Sequence, residues 1–262
     1  SQTSFRLDCR LFDISELARF IEANPKETMK RDILKSILQN RSGSLGIKLS
    51  LAQLELFQRY FYDLTEWNSR ANLTSVTDWT DVQIKHYMDS LTVAITLPKQ
   101  VLNSGRFVDI GSGGGFPGVP LMIAFPNIKV TLIEATRKKY DFLLHLRDTL
   151  QLHSLSIFND RAEILAHDPS LREQFDVVLA RSIARMATLS ELTLPFCRIG
   201  GLVVAHKSKE IQQELKSACR AISATGGILR QIQPITIEGL SARTLVVLEK
   251  VSQTSNLYPR RP

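Results

Sequence analysis

The chain has 262 residues, 44% of them hydrophobic, and carries 33 Lys and Arg against 26 Asp and Glu, a net charge of +7. This supports a sizeable core, excludes wholesale disorder, and favours a polyanionic partner such as RNA or DNA without requiring one. Three scattered cysteines give no disulfide frame, five histidines show no zinc-ligand spacing, and no apolar run approaches the roughly 18 residues of a bilayer span, so we expect a cytoplasmic protein without metal or membrane contact.

Residues 1–48 read as a helical extension of unknown role, with amphipathic pieces near residues 14–22 and 28–39 and a breaker run Arg41-Ser-Gly-Ser-Leu-Gly46. Residues 49–100 read as a helical cap. Ser50 is placed to cap a helix whose stripe is Leu51, Leu54, Phe57, Phe61 and Leu64. A second long helix spans residues 81–97, with Val82, Ile84, Tyr87, Leu91, Val93 and Leu97 at helical spacing before Pro98.

Residues 101–251 change texture. Strands are expected at residues 107–110, 129–134, 155–158, 176–180, 201–206, 227–237 and 243–250, with helices at 136–150, 188–194 and 209–223. This alternation gives an α/β class, a mostly parallel seven-stranded sheet whose final strand is antiparallel. Residues 252–262 form a basic tail.

The first of these strands ends in Asp109-Ile-Gly-Ser-Gly-Gly-Gly-Phe-Pro-Gly118. Glycines there let a ligand lie against main-chain amides at the point where ligands bind in such sheets, and Pro117 and Pro120 suit the first turn of a helix. Gly113-Gly-Gly-Phe-Pro-Gly118 also satisfies the dinucleotide fingerprint, so the loop alone does not separate NAD from other adenosine cofactors. Asp109 tilts the choice: a carboxylate there would meet an amino group and repel a pyrophosphate, although it could instead brace the turn. Phe116 offers an apolar wall. Glu134, about 20 residues beyond the loop, stands where an acid bonds ribose hydroxyls. Thr136 is placed to cap the next helix, and Ala135 lets the backbone approach the ribose.

With these motifs in order, the chain resembles the bacterial small-subunit rRNA guanine-N7 methyltransferases known as RsmG or GidB. The likeness runs from about Ser50 to Val251 through Asn72-Leu-Thr74, His86-Tyr-Met-Asp-Ser90, the glycine loop, Glu134-Ala-Thr136, Arg161-Ala-Glu163 and Ala180-Arg-Ser182. The resemblance implies a Rossmann-like class I methyltransferase fold and S-adenosyl-L-methionine as cofactor. It places Gly111, Gly113 and Phe116 along the cofactor, Glu134, Ala135 and Thr136 on its ribose side, Ala162 and Glu163 by the adenine, and Arg181 at the cofactor and substrate edge. Ser182 and Ser208 stand where family members usually have Ala and Gly.

The implied substrate is 16S rRNA or the small ribosomal subunit, approached by a monomer. Guanine N7 carries an unprotonated lone pair, so no catalytic base is expected and rate enhancement rests on positioning. Arg137, Lys138 and Lys207 are candidate RNA contacts, each equally readable as solvated charge. Two other readings stand beside this one: an NAD-linked oxidoreductase on the same loop, and a non-catalytic RNA-binding protein.

Overall fold

A computed structural model describes residues 37–208 and 211–260. The expected helix at residues 14–22, residues 28–36 of the one expected at 28–39, Cys9 and the last two residues lie outside that range. Short helix α1 (Ile37–Arg41) precedes α2 (Leu51–Ala71). Ser50 caps α2 as expected, its hydroxyl accepting from the Gln53 amide while the Gln53 side chain accepts from the Ser50 amide. The α2 stripe is core at Leu54, Phe57 and Leu64, but Leu51 is 46% exposed, because the first helical residue projects beyond the packed face.

The second cap helix is broken where the sequence suggested continuity. It starts as α3 (Trp79–Val82), widens to a π-helix (Gln83–Met88), continues as α4 (Asp89–Leu91) and tightens to a 3-10 segment (Thr92–Thr96). All six residues of its expected stripe are nonetheless buried. After α5 (Lys99–Ser104) the sheet begins with β1 (Arg106–Ile110), followed by α6 (Gly118–Ala124), β2 (Lys129–Ile133), α7 (Arg137–Thr149), β3 (Leu155–Phe158) and α8 (Ala162–Leu165). The remaining elements are β4 (Phe175–Arg181), α9 (Met186–Thr193), β5 (Cys197–Ser208), α10 (Gln212–Ala224), β6 (Gly227–Ile235) and β7 (Arg243–Lys250).

The seven strands lie in the order β3-β2-β1-β4-β5-β7-β6. β1 to β5 are parallel, and β7 runs antiparallel between β5 and β6. The final strand is thus antiparallel, as expected, but it inserts into the sheet and leaves β6 at the edge. Alternate residues serve opposite faces, as the pleat dictates. Phe107, Val130, Leu132, Val177, Leu179 and Val204 share one hydrophobic cluster with α2, the broken cap helix, α6 and α7. Val108, Ile110, Val178, Ala180, Val203 and Ala205 share the other with α8, α9 and α10. The cap helices are therefore one of the two layers covering the sheet. None of the described helices is long and apolar enough to cross a membrane.

Candidate functional site

Strand order reverses between β1 and its neighbours β2 and β4, which opens a crevice beyond their carboxyl ends. There the chain leaves β1 through Gly111, whose φ of +66° disfavours any side chain; a Cβ would stand 2.7 Å from the Ile183 side chain. The Gly111 and Ser112 amides both donate to the Ile133 carbonyl, tying the loop to β2.

Glu134 follows β2 and is almost fully buried. Its two carboxylate oxygens accept from the Gly113 amide at 2.9 Å and the Thr136 amide at 2.8 Å. Thr136 occupies the N-cap position of α7 without a side-chain cap bond, so Glu134 does the capping expected of it. Each Glu134 oxygen keeps a lone pair for a further donor. The Asn159 amide group donates to the Glu134 and Ala135 carbonyls and holds this corner to β3.

Asp109 braces the loop: its Oδ2 accepts from the Gly118 amide at 2.9 Å, at the start of α6. A Cβ on Gly118 would lie 2.8 Å from Leu132, so only glycine lets the helix approach this closely. Burial pushes the Asp109 carboxyl up to about 7, against the pull of that amide and of Arg181. Its Oδ1 has no hydrogen-bond partner among the described residues.

An open cleft of about 320 Å³ lies over these strand ends, lined by Ile110, Gly111, Ile133, Ala135, Asp160, Arg161, Ala162, Glu163, Ile183 and Leu192. Four residues singled out from the sequence, Gly111, Ala135, Ala162 and Glu163, meet there. Gly113, Glu134 and Thr136 stand directly behind it through the bonds above. Glu163, in the first turn of α8, pairs with Arg161 at 3.0 Å.

Phe116 and Arg181 stand elsewhere, under the cap. Phe116 stacks between Tyr60, at 5.3 Å, and His86, at 4.5 Å, with the Arg181 guanidinium over its face. The Tyr60 hydroxyl donates to the Gly114 carbonyl, fastening α2 to the glycine loop. Arg181 ends β4 and reaches the π-helical stretch, donating to the Lys85 carbonyl at 2.8 Å and contacting His86 Nδ1 at 3.1 Å. Nδ1 also lies 3.1 Å from the Lys85 carbonyl, and Nε2 lies 2.7 Å from Thr74 Oγ1. Burial, then the Arg181 charge, lowers the His86 pKa to about 4.

Arg181 also pairs with Asp89, which is fully buried, at 3.3 Å; Arg243, at the start of β7, lies 3.8 Å from the same carboxylate. Beside them His206, opposite Arg181 in the β4–β5 register, donates through Nε2 to the Asp89 carbonyl. Among the described residues, both Asp89 carboxylate oxygens, Arg181 Nη1, Arg243 Nε and His206 Nδ1 lack hydrogen-bond partners, an uncommon density for a protein interior. Sequence reasoning left His86 and Asp89 aside and did not single out Arg243, His206, Ile183 or Asp160. The available signals were the motif His86-Tyr-Met-Asp-Ser90 and the spacing of His86 and Asp89, three residues apart on one helical face.

Of the suggested RNA contacts, Arg137 is exposed and paired with Asp141 at 2.9 Å, and Lys138 is exposed on the same turn. Lys207 is drawn inward. It pairs with Glu214 at 2.6 Å and donates to the Ala184 carbonyl, and Glu214 accepts from the Met186 amide, so this pair holds the loop that carries Ile183. Among the described residues no three His, Cys, Asp or Glu side chains converge as a metal site would require.

Comparison with known proteins adds a family. The GidB family model, described as rRNA small subunit methyltransferase G, matches residues 53–245. The ribosomal RNA small subunit methyltransferase G of Dehalococcoides mccartyi strain BAV1 is 44% identical over 219 residues, covering 83% of this chain and 92% of that protein. That of Roseiflexus castenholzii is 44% identical over 217 residues with the same coverage. Among solved structures, an O-methyltransferase from Bacillus cereus in complex with SAH aligns over 73% of this chain and 91% of its own, at 15% identity and a TM-score of 0.51, a likeness of fold.

Proposed function

Because the chain belongs to the GidB family, rRNA small subunit methyltransferase G, we propose that it transfers a methyl group from S-adenosyl-L-methionine to N7 of a guanine in 16S rRNA. The observation that carries the choice of cofactor is the Asp109 carboxylate on the Gly118 amide. In a dinucleotide-binding sheet the pyrophosphate takes that helix N-terminus. Here an acid already fills it, which favours a cofactor without phosphate and disfavours the oxidoreductase reading.

The residues fit the adenosine of the donor. Gly111, Ala135 and Ala162 leave room between the apolar side chains of Ile110, Ile133, Ile183 and Leu192, and Glu134 keeps acceptor capacity for ribose hydroxyls while its bonds to backbone amides fix Gly113 and Thr136. Glu163 borders the adenine end. Phe116 and Arg181 border the opposite end, where the cap meets the loop. When bound, S-adenosylmethionine supplies a methyl group on a sulfonium.

Everything else falls to positioning. N7 needs no proton removed, so the chain holds the base in line and tolerates the charge left on it. Arg181, fixed on three sides, presents its cation at one place, and the Lys207–Glu214 pair keeps the 182–185 loop beside it. Arg137 and Lys138 contact backbone phosphate at the rim, consistent with the net charge of +7.

Radiolabelled methyl transfer to small subunits from cells lacking the modification, followed by primer extension, tests the reading. One labelled guanine is expected. No incorporation despite RNA binding would favour a non-catalytic binder, and binding of NAD in place of S-adenosylhomocysteine would sink the cofactor.

A further inference from the structure

We propose that the C-terminal segment, residues 252–260, completes the adenine end of the methyl-donor cleft, with Pro259 and Arg260 as its outer wall. This rests on the cofactor reading above.

β7 is antiparallel to its neighbours, so the chain leaves it at the edge of the sheet opposite the cleft. From there the segment climbs back toward the cleft along a line of anchors. The Thr254 hydroxyl donates to the Thr225 carbonyl and the Thr254 amide to Glu173, which precedes β4. Fully buried Lys250 fixes the root, donating to the Leu194 carbonyl and Thr254 and pairing with Glu173. Arg172 then clamps the carbonyls of Thr254, Ser255 and Tyr258, and His167 holds the Pro259 carbonyl at 3.0 Å. The segment reaches α9, where Glu191 accepts the Arg260 amide at 2.6 Å and its guanidinium through Nε and Nη2.

Its destination points to a ligand. Pro259 and Arg260 line a second cleft of about 310 Å³ together with Glu163, Thr188, Glu191 and Leu192. Glu163 and Leu192 also line the donor cleft, so two side chains divide the spaces. An adenine entering from the ribose side meets a rigid apolar ring at Pro259. Its exocyclic amine finds a carboxylate acceptor in Glu163, which is paired with Arg161, while Glu191 is held by Arg260 and anchors the wall. Ligand and docked segment each favour the other, since coupling between two binding events is reciprocal.

Titration calorimetry of S-adenosylhomocysteine with the full chain and with Arg260→Ala and Glu191→Gln tests this, together with hydrogen exchange of residues 252–260. The Arg260 side chain is 78% exposed, so its removal does not threaten folding. We expect each variant to bind about fivefold more weakly, the scale of a rim ion pair, and the ligand to slow exchange along the segment in the wild-type chain. Affinities within about twofold of wild type, with segment exchange unchanged by the ligand, would overturn the proposal. Failure of the wild-type chain to bind S-adenosylhomocysteine at all would instead remove the cofactor reading, and the proposal with it.

Discussion

The cleft we propose for the methyl donor is made of loop backbone, small residues and aliphatic walls contributed by successive strand ends and the segments that follow them, whereas the polar knot under the cap is made of long polar side chains from four distant segments. In the cleft, Gly111, Ala135 and Ala162 act through what they omit, and amides meet carboxylates at close to ideal distances. In the knot, Arg181, Asp89, Arg243, His86 and His206 are packed at high charge density with several polar atoms unpartnered. One region is a preformed cleft that we propose holds an adenosine. The other is a costly arrangement that fixes one cation beside the loop, and buried charges of that kind are strongly unforgiving of losing a partner.

The comparison predicts different failures on the two sides. The largest effect is expected for Asp89→Ala, which leaves the largely enclosed Arg181 and the half-buried Arg243 as unopposed like charges. Urea denaturation should show a loss of about 3 kcal/mol, and a loss under about 1 kcal/mol would mean that the knot is solvated. Gly111→Ala should act on the other side. Its left-handed backbone and the Ile183 contact cost about 1–2 kcal/mol, and S-adenosylhomocysteine affinity should fall at least roughly tenfold by calorimetry. Unchanged affinity would show that the cofactor does not approach this turn.

A smaller effect separates the knot by its pH response. The folded-state pKa of His86 is lowered to about 4 from an ordinary 6.5, so the unfolded chain binds the extra proton. Its contribution is therefore fully present above pH 6.5 and is lost as pH falls toward 4. His86→Asn should flatten the stability profile over that window by up to about one proton. A parallel profile in the variant would count against a neutral His86. Asp109, raised to about 7, acts with the opposite sign, because there the folded chain holds the extra proton as pH rises from 4 to 7. The smallest effect belongs to the exposed rim. Lys138→Ala should weaken RNA binding severalfold and reduce the salt slope by about 1, and an unchanged slope would remove Lys138 from the interface.

The cleft was legible because its chemistry is local in the chain. A glycine run after a strand and an acid about 20 residues later are sequence signals, and Gly111, Glu134, Ala135, Ala162 and Glu163 converge where the strand order requires. The knot was not legible. Arg181 was visible at a strand end, but its partners Asp89 and Arg243 lie 92 residues before and 62 after it, and each read as an ordinary helix or strand charge. Phe116 read as a cofactor wall, and its stacking on Tyr60 and His86 depends on where α2 and the broken cap helix settle. Lys207 read as an RNA contact or a solvated charge, but Glu214 and the Ala184 carbonyl turn it inward.

The sequence by itself determined the α/β alternation, the antiparallel final strand, the capping of α2 and the donor loop, because periodicity, turn chemistry and glycine spacing act over a few residues. Tertiary structure alone decided the insertion of β7 between β5 and β6 and the π-helical break in the cap. It also decided the grip on Arg181 and the course of the C-terminal segment to Glu191. Each of these joins groups far apart in the chain, where packing and the pairing of buried charge, not local preference, select the partner.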